Sequence, residues 1–161
     1  MIAITTEHHD YKARTALWKQ YRDLYTGGAQ FKAKAADYLV QRNREPAGVY
    51  NERLDRAFYE NYIGSIVDWY AATLFRREPV INLDGENDPG RRFYSSFIED
   101  CDRHGTNLSD FFRQQILEAL ICGSSFTLVD FPRQHCQLQT RAEEEAVGAA
   151  NAYLVSYSAE E

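Results

Sequence analysis

The sequence predicts a predominantly helical α+β fold, with a long central helix and a few short antiparallel strands. Apolar side chains recur every three or four residues over most of the chain, which is typical of amphipathic helices. Glycines and prolines separate these stretches, and residues 125–131 and 153–157 are short runs rich in β-branched and aromatic residues. The 161 residues suffice for one domain with a sizeable core, so we treat 1–161 as a single domain.

The helices of the first half are predicted over residues 8–25, 31–40 and 49–75. Gly27 and Gly28 end the first, because glycine is favoured just past a helix end. The pattern over 49–75 is the strongest and predicts one helix about 40 Å long at ~1.5 Å per residue. Gly64 in its middle predicts a kink or a close helix crossing, because glycine costs helix stability.

The second half alternates predicted helices and strands. A short strand over 79–83 and a turn over 84–90 precede a helix over 91–103. Another helix starts at capping residues 106–109 and ends at Gly123, and a short one covers 141–147. The strands 125–131 and 153–157 can pair antiparallel, although the sequence leaves the pairing open.

The formal net charge of −6 makes the chain a poor general binder of nucleic acid, whose affinity comes from neutralising phosphates. An acidic surface is nevertheless compatible with a passage through which DNA slides. The three cysteines, Cys101, Cys122 and Cys136, form no C-x-x-C motif, so we expect a reducing compartment and no disulfide framework. No signal peptide and no apolar stretch of the ~18 residues that span a bilayer is visible.

Candidate catalytic and metal-binding residues are weak, so we expect no enzyme, no metal and no cofactor. His8 and His9 are adjacent, and neighbouring helical residues point to different sides, so they do not predict a shared ion. Cys122 lies on the apolar side of its helix and reads as a buried, inert thiol. The acidic loop 84–90 lacks the glutamate that a calcium loop carries at its twelfth position.

Two groups of side chains are candidates for contacts with other molecules. The aromatic stripe of 49–75 is unusually wide, and a helix that is apolar on more than one face needs cover from several directions. A neighbouring subunit is one source of that cover, which makes these residues candidates for subunit packing: Tyr50, Phe58, Tyr62, Trp69 and Tyr70. Two basic pairs flank one loop and could contact DNA phosphates or a neighbour's carboxylates, although a solvated or salt-bridged edge is the simpler interpretation: Arg76, Arg77, Arg91 and Arg92.

Several short motifs resemble those of tailed-bacteriophage portal proteins, in the right order over about 18–161. Residues 18–28 (WKQYRDLYTGG) resemble the opening W…RD…G segment of that family. Residues 50–61 (YNERLDRAFYEN) are similar to its Y…RA.F.N helix. Further resemblances cover 36–39 (ADYL), 75–79 (FRREP), 102–108 (DRHGTNL), 123–132 (GSSFTLVDFP) and 153–161 (YLVSYSAEE).

The resemblance implies a structural subunit of a portal ring, with twelve copies at one capsid vertex. Such a ring is the conduit for double-stranded DNA during packaging and ejection, without sequence readout. Its partners are the terminase, the major capsid protein and the head-tail adaptor. The protein would lie in the virion, and in the host cytoplasm during assembly. Residues 1–161 would be the outer wing, incomplete without the family's stem, clip and crown, and 134–150 match nothing in the family.

Two other function classes remain open from the sequence. A helical regulatory or nucleic-acid-binding module would need a basic face on a recognition helix. A small cytosolic enzyme would need a pocket with two perturbed titratable groups. The acidic balance disfavours the first class, and no telling residue spacing favours the second.

Overall fold

The computed structural model describes residues 6–80, 89–132, 140–146 and 151–160. It confirms a predominantly helical α+β fold. Contacts divide the chain into two compact units, one of residues 1–70 with Glu160 and the other of residues 71–159 with Glu161. None of the helices in these described ranges is both long enough and apolar enough to cross a membrane.

Five helices begin in the described residues of the first unit, and the last of them, α5, continues past the division after Tyr70. These are α1 (His9–Thr26), α2 (Gly28–Ala33), α3 (Ala35–Tyr38), α4 (Ala47–Arg56) and α5 (Tyr62–Leu74). The start and end of α1 confirm the helix predicted over 8–25. His8 caps the start, where its Nδ1 accepts a hydrogen bond from the Asp10 backbone N–H (3.3 Å). Gly27 ends the helix in a left-handed conformation at φ 59°.

The single helix predicted over 49–75 is wrong, because α4 and α5 are separated by residues 57–61. Ala57 is extended, with φ −64° and ψ 134°. Asn61 then starts α5, because its Oδ1 accepts the Gly64 backbone N–H (2.8 Å), which would otherwise lack a partner at the helix start. Its Nδ2 donates to the Tyr25 carbonyl at the end of α1 (2.6 Å). The two hydrogen bonds of Asn61 therefore fix a helix start at a place where the apolar spacing alone predicts a continuous helix.

Gly64 marks a close helix crossing, which was one of the two interpretations that the sequence offered. A Cβ atom there would lie 2.9 Å from the Tyr25 carbonyl oxygen and 2.7 Å from the Asn61 Nδ2. Real Cβ atoms essentially never come so close to another heavy atom. Glycine is therefore what allows the start of α5 to pack against the end of α1.

The second unit contains α6 (Pro89–Glu99), α7 (Leu108–Cys122), β1 (Phe126–Asp130), α8 (Arg141–Ala146) and β2 (Tyr153–Tyr157). The two strands pair antiparallel, with Leu128 opposite Val155, so both strand predictions are confirmed and the pairing is resolved. The prediction that α6 extends to 103 is wrong. It ends at Glu99 because the carboxylates of Asp100 and Asp102 accept backbone N–H groups from residues 104–106.

The core of the second unit forms where α6 and α7 meet β2. It contains Cys101, Leu108, Phe111 and Leu154, with Phe97 and Ile98 packed against it. The Leu154 N–H donates to the Cys101 carbonyl (2.7 Å), which attaches β2 to the loop after α6. As predicted, Asn107 caps α7 through a hydrogen bond to the Asp110 N–H (2.8 Å), and Gly123 ends it.

Gln115 on α7 is buried and joins the helix to both strands. Its Nε2 donates to Ser156 Oγ on β2, and its Oε1 accepts from Thr127 Oγ1 on β1 (3.1 Å). We expect Gln115→Leu to lower the free energy of unfolding by about 1–2 kcal/mol, because both hydrogen bonds are lost. Urea unfolding measures this, with Gln114→Leu at the exposed neighbouring position as the matched control. Equal stability of the two variants would contradict the bridging role.

The remaining predictions are confirmed in part or lie outside the described residues. The helix predicted over 31–40 is two short helices, α2 and α3, separated at Lys34. Pro79 and Val80 are not in a strand, and the rest of the predicted strand and its turn, 81–88, lie outside the described residues. The short helix predicted over 141–147 is confirmed as α8, whereas Cys136 and most of 134–150 are not described.

Candidate functional site

One face of α5 exposes five large apolar side chains to solvent. We call this the outer face of α5: Tyr62, Ile63, Ile66, Trp69 and Tyr70. At 3.6 residues per turn these positions cover an arc of about 120° around the helix. They therefore form one continuous surface rather than scattered exposed residues.

Away from the outer face, Gly64 of α5 is buried and Val67 is half-buried. Asp68 is exposed, and its Oδ1 accepts a hydrogen bond from the Tyr25 hydroxyl (2.7 Å). A surface helix normally buries its large apolar residues and exposes polar ones. In α5 the large apolar residues are exposed as well. The close crossing at Gly64 leaves no room for a side chain at that position.

The outer face is large enough for a protein–protein contact. Tyr62, Trp69 and Tyr70 are 64%, 62% and 51% exposed. With ~150–250 Å² for each aromatic side chain, the whole outer face exposes on the order of 500 Å² of apolar surface. That lies at the upper end of the ~300–600 Å² found for the largest patch on a typical monomer. It is also a large part of the ~800 Å² that each partner contributes to a stable interface.

Three of the five predicted packing residues meet on this face, namely Tyr62, Trp69 and Tyr70. Phe58 lies in the segment before α5 and is 86% exposed. Tyr50 is elsewhere, half-buried on α4, where the Arg53 guanidinium lies over its ring at 5.4 Å. The structure therefore does not place Tyr50 or Phe58 on the face formed by the other three, because the chain leaves the helix after Arg56.

A second feature of the first unit is a concave pocket of about 430 Å³ lined by aromatic rings. The Phe31 ring centroid lies 4.7 Å from that of Tyr38 and 4.4 Å from that of Tyr59. We call this the aromatic pocket, and its lining is Gly28, Ala29, Phe31, Lys32, Ala35, Tyr38, Leu39, Ala57, Phe58 and Tyr59. Sequence reasoning missed it, because no spacing rule relates Tyr59 to residues more than twenty positions earlier.

Polar contacts hold the walls of the aromatic pocket in place. The Tyr59 hydroxyl donates to the Leu24 carbonyl near the end of α1 (2.9 Å). Asp23, also on α1, accepts hydrogen bonds from Lys34 and from the Tyr38 hydroxyl (2.9 Å). Contacts of the Phe31 ring then attach α2 to the other two aromatic walls. The pocket is thus built by three segments fixed against one helix.

The contact between Tyr38 and Asp23 makes the first unit sensitive to alkaline pH. Burial, together with the Asp23 carboxylate, raises the pKa of Tyr38 to about 12. The unfolded chain loses this proton near pH 10, so the stabilisation is present below pH 10 and is lost between about pH 10 and 12. We expect Asp23→Asn to lower the pKa of Tyr38 towards 10. Tyrosinate absorbance during an alkaline titration measures this pKa, and Tyr38→Phe identifies which part of the titration belongs to Tyr38. If Tyr38 still titrates near pH 12 in Asp23→Asn, the Asp23 carboxylate does not raise its pKa.

The four arginines predicted for electrostatic contacts are placed only in part. Arg76 and Arg77 follow the end of α5 and are exposed, and Arg91 is exposed on α6. The side chain of Arg92 lies outside the described part of the chain. A common site formed by the two basic pairs therefore stays a prediction.

The expectation that the two adjacent histidines point apart is wrong. The ring centroids of His8 and His9 lie 4.3 Å apart, and possible ligand atoms of His8, His9 and Asp10 lie within 4.8 Å of one another. All three groups are exposed, and His8 Nδ1 already accepts the cap hydrogen bond from Asp10. The prediction that Cys122 is buried is confirmed.

Comparison with known proteins assigns no family to this chain. No protein-family model matches it, and no curated protein is significantly similar to it. The geometry of the outer face and the order of the sequence motifs are therefore the observations from which a function can be argued.

Proposed function

We propose that this chain is the wing-like part of a tailed-phage portal subunit, a structural protein that assembles with copies of itself. Its role would be to pack against neighbouring subunits in a closed ring at the capsid vertex. The ring would hold the passage for double-stranded DNA and the attachment points for terminase, capsid protein and head-tail adaptor. The chain would make and break no bond in this role.

The observation that carries the proposal is the outer face of α5. Three aromatic and two aliphatic side chains of one helix are exposed together, and Gly64 is buried where this helix crosses α1. Exposing a patch on the order of 500 Å² to water is unfavourable unless another surface covers it. Aromatic residues are also enriched at the centres of protein–protein interfaces. A neighbouring copy supplies such a cover at every position of a ring.

The charge of this region favours protein over nucleic acid as the partner. Residues 57–74 contain two acidic residues, Glu60 and Asp68, and no basic residue. Nucleic-acid binding depends mainly on lysine and arginine side chains that neutralise phosphates. An aromatic surface without cations suits packing against another protein. The ordered portal-like motifs over 18–161 then favour the portal ring among possible assemblies.

The proposal is tested by the assembly state of the purified protein. Native mass spectrometry and negative-stain imaging should show closed rings with a discrete copy number at concentrations of about 1–100 µM, within the range of affinities of standard-size interfaces. A protein that stays monomeric throughout this range would overturn the proposal.

A further inference from the structure

We propose that the aromatic pocket of one copy receives the outer face of α5 from a second copy, with Trp69 and Tyr70 as the inserting side chains. This inference rests on the proposed function, because it takes the neighbour in the assembly to be an identical chain. It adds the receiving surface, which neither the sequence motifs nor the outer face identifies.

The shapes of the two surfaces are complementary. The outer face is convex, because it is the side of a helix, whereas the pocket is a concavity of about 430 Å³. This volume is at the lower end of the ~300–1,000 Å³ typical of ligand pockets, so it suits one or two aromatic side chains rather than a whole helix. Trp69 and Tyr70 are adjacent, and their ring centroids lie 5.2 Å apart in an edge-to-face arrangement. They can therefore enter as one compact pair.

The chemistry of the walls also matches these two side chains. Phe31, Tyr38 and Tyr59 present aromatic rings, and aromatic pairs prefer centroid distances of about 4.5–7 Å in offset or edge-to-face geometry. Phe58, highly exposed at the pocket, can close over an inserted ring. Tryptophan and tyrosine inserted into such desolvated pockets are the residues that most often dominate binding energy.

A pocket that binds a different surface of an identical chain gives a head-to-tail contact. Head-to-tail contacts produce closed rings when the rotation between neighbours divides a full turn. If α5 instead packed on α5 of a second copy, the contact would be self-complementary and would stop at a dimer. The pairing of face with pocket is therefore an arrangement that can form a ring, whereas α5 on α5 is not.

The first test fills the pocket of the full chain. Ala29 lines the pocket and is exposed, so Ala29→Trp blocks the opening without replacing a buried residue. We expect this variant to raise the Kd of assembly at least about tenfold. Ala13→Trp, at an exposed position on α1 that does not line the pocket, is the matched control and should assemble as the wild type.

The second test mixes two assembly-deficient variants. Tyr62→Asp/Trp69→Asp keeps the pocket and loses the face, whereas Ala29→Trp keeps the face and loses the pocket. Each alone should be monomeric, and the equimolar mixture should form a heterodimer, because one intact face and one intact pocket remain. Sedimentation velocity measures all three samples, with unfolding temperatures verifying that each variant is folded.

The outcomes separate this inference from the proposed function. A monomeric wild type overturns both. Wild-type rings with undiminished assembly of Ala29→Trp overturn only the inference, because assembly then does not use the pocket. Two monomeric variants that do not combine on mixing also overturn the inference. The inference is supported if heterodimers form when the two variants are mixed and neither variant assembles by itself.

Discussion

The double variant Tyr62→Asp/Trp69→Asp is expected to fold as the wild type does and to lose its assembly. Both side chains are more than half exposed, so aspartate at these positions meets water in the isolated chain. At an interface the same carboxylates would be buried without a partner, which costs several kcal/mol for each charge. We therefore expect the Kd of assembly to rise at least about a hundredfold. Sedimentation velocity over a concentration series measures the change.

The matched control is Tyr21→Asp, which introduces the same charge at an exposed tyrosine on α1. It should leave assembly within about threefold of the wild type, corresponding to less than ~1 kcal/mol. Circular dichroism should show folded protein for all variants. If the double variant assembles like Tyr21→Asp, the outer face of α5 is not an interface.

The variant Gly64→Ala is expected to lower the free energy of unfolding by about 1–3 kcal/mol, the usual range for overpacking. Helix propensity alone predicts the opposite, since alanine is better than glycine in a helix by up to about 1 kcal/mol. The sign reverses because the new methyl group would lie 2.9 Å from the Tyr25 carbonyl oxygen, which is backbone and cannot rotate away. It would also displace Asn61, which caps α5.

Gly48→Ala provides the comparison, because Gly48 lies in α4 with nothing within 4 Å of an added Cβ atom. Alanine there should be neutral or stabilising by up to about 1 kcal/mol. Urea unfolding of both variants checks the difference. If the two substitutions shift stability in the same direction and by similar amounts, the close crossing of α1 and α5 does not constrain Gly64.

The parts of the fold that the sequence predicted well are those set by local signals. The ends of α1 and α7 are encoded by neighbouring residues: glycine accepts a positive φ at 27 and 123, and Asn107 reaches the backbone three residues on. The strands were recognisable because β-branched and aromatic residues occur in short runs, the first of which lies between Gly123 and Pro132. These features depend on nothing distant in the chain.

The break between α4 and α5 depends on a distant contact, and periodicity concealed it. Residues 49–75 continue the helical spacing across the break, so the sequence pattern places Asn61 inside one long helix. Its capping role is local and could have been recognised from an asparagine at the start of an apolar run. Its bond to the Tyr25 carbonyl, 36 residues away, could not, because it exists only when α1 and α5 are packed.

As with the fold, the sequence predicted only part of the candidate site. The aromatic stripe identified Tyr62, Trp69 and Tyr70, because residues seven and eight apart in a helix share a face. The same reasoning placed Tyr50 with them, and the break moves it to α4. The aromatic pocket combines residues of α2, α3 and the 57–61 segment, so its formation requires tertiary structure that periodicity does not encode.

The most direct test of the assembly surface is the solvent accessibility of α5 in the assembled protein. Hydroxyl-radical footprinting reports the oxidation of individual aromatic side chains, and can compare dilute monomer with concentrated assembly. Burial by a neighbouring copy predicts that Tyr62, Trp69 and Tyr70 become strongly protected on assembly, while Tyr21 on α1 reacts at an unchanged rate. Assembled rings in which Tyr62 and Trp69 oxidise as fast as in the monomer would contradict the account.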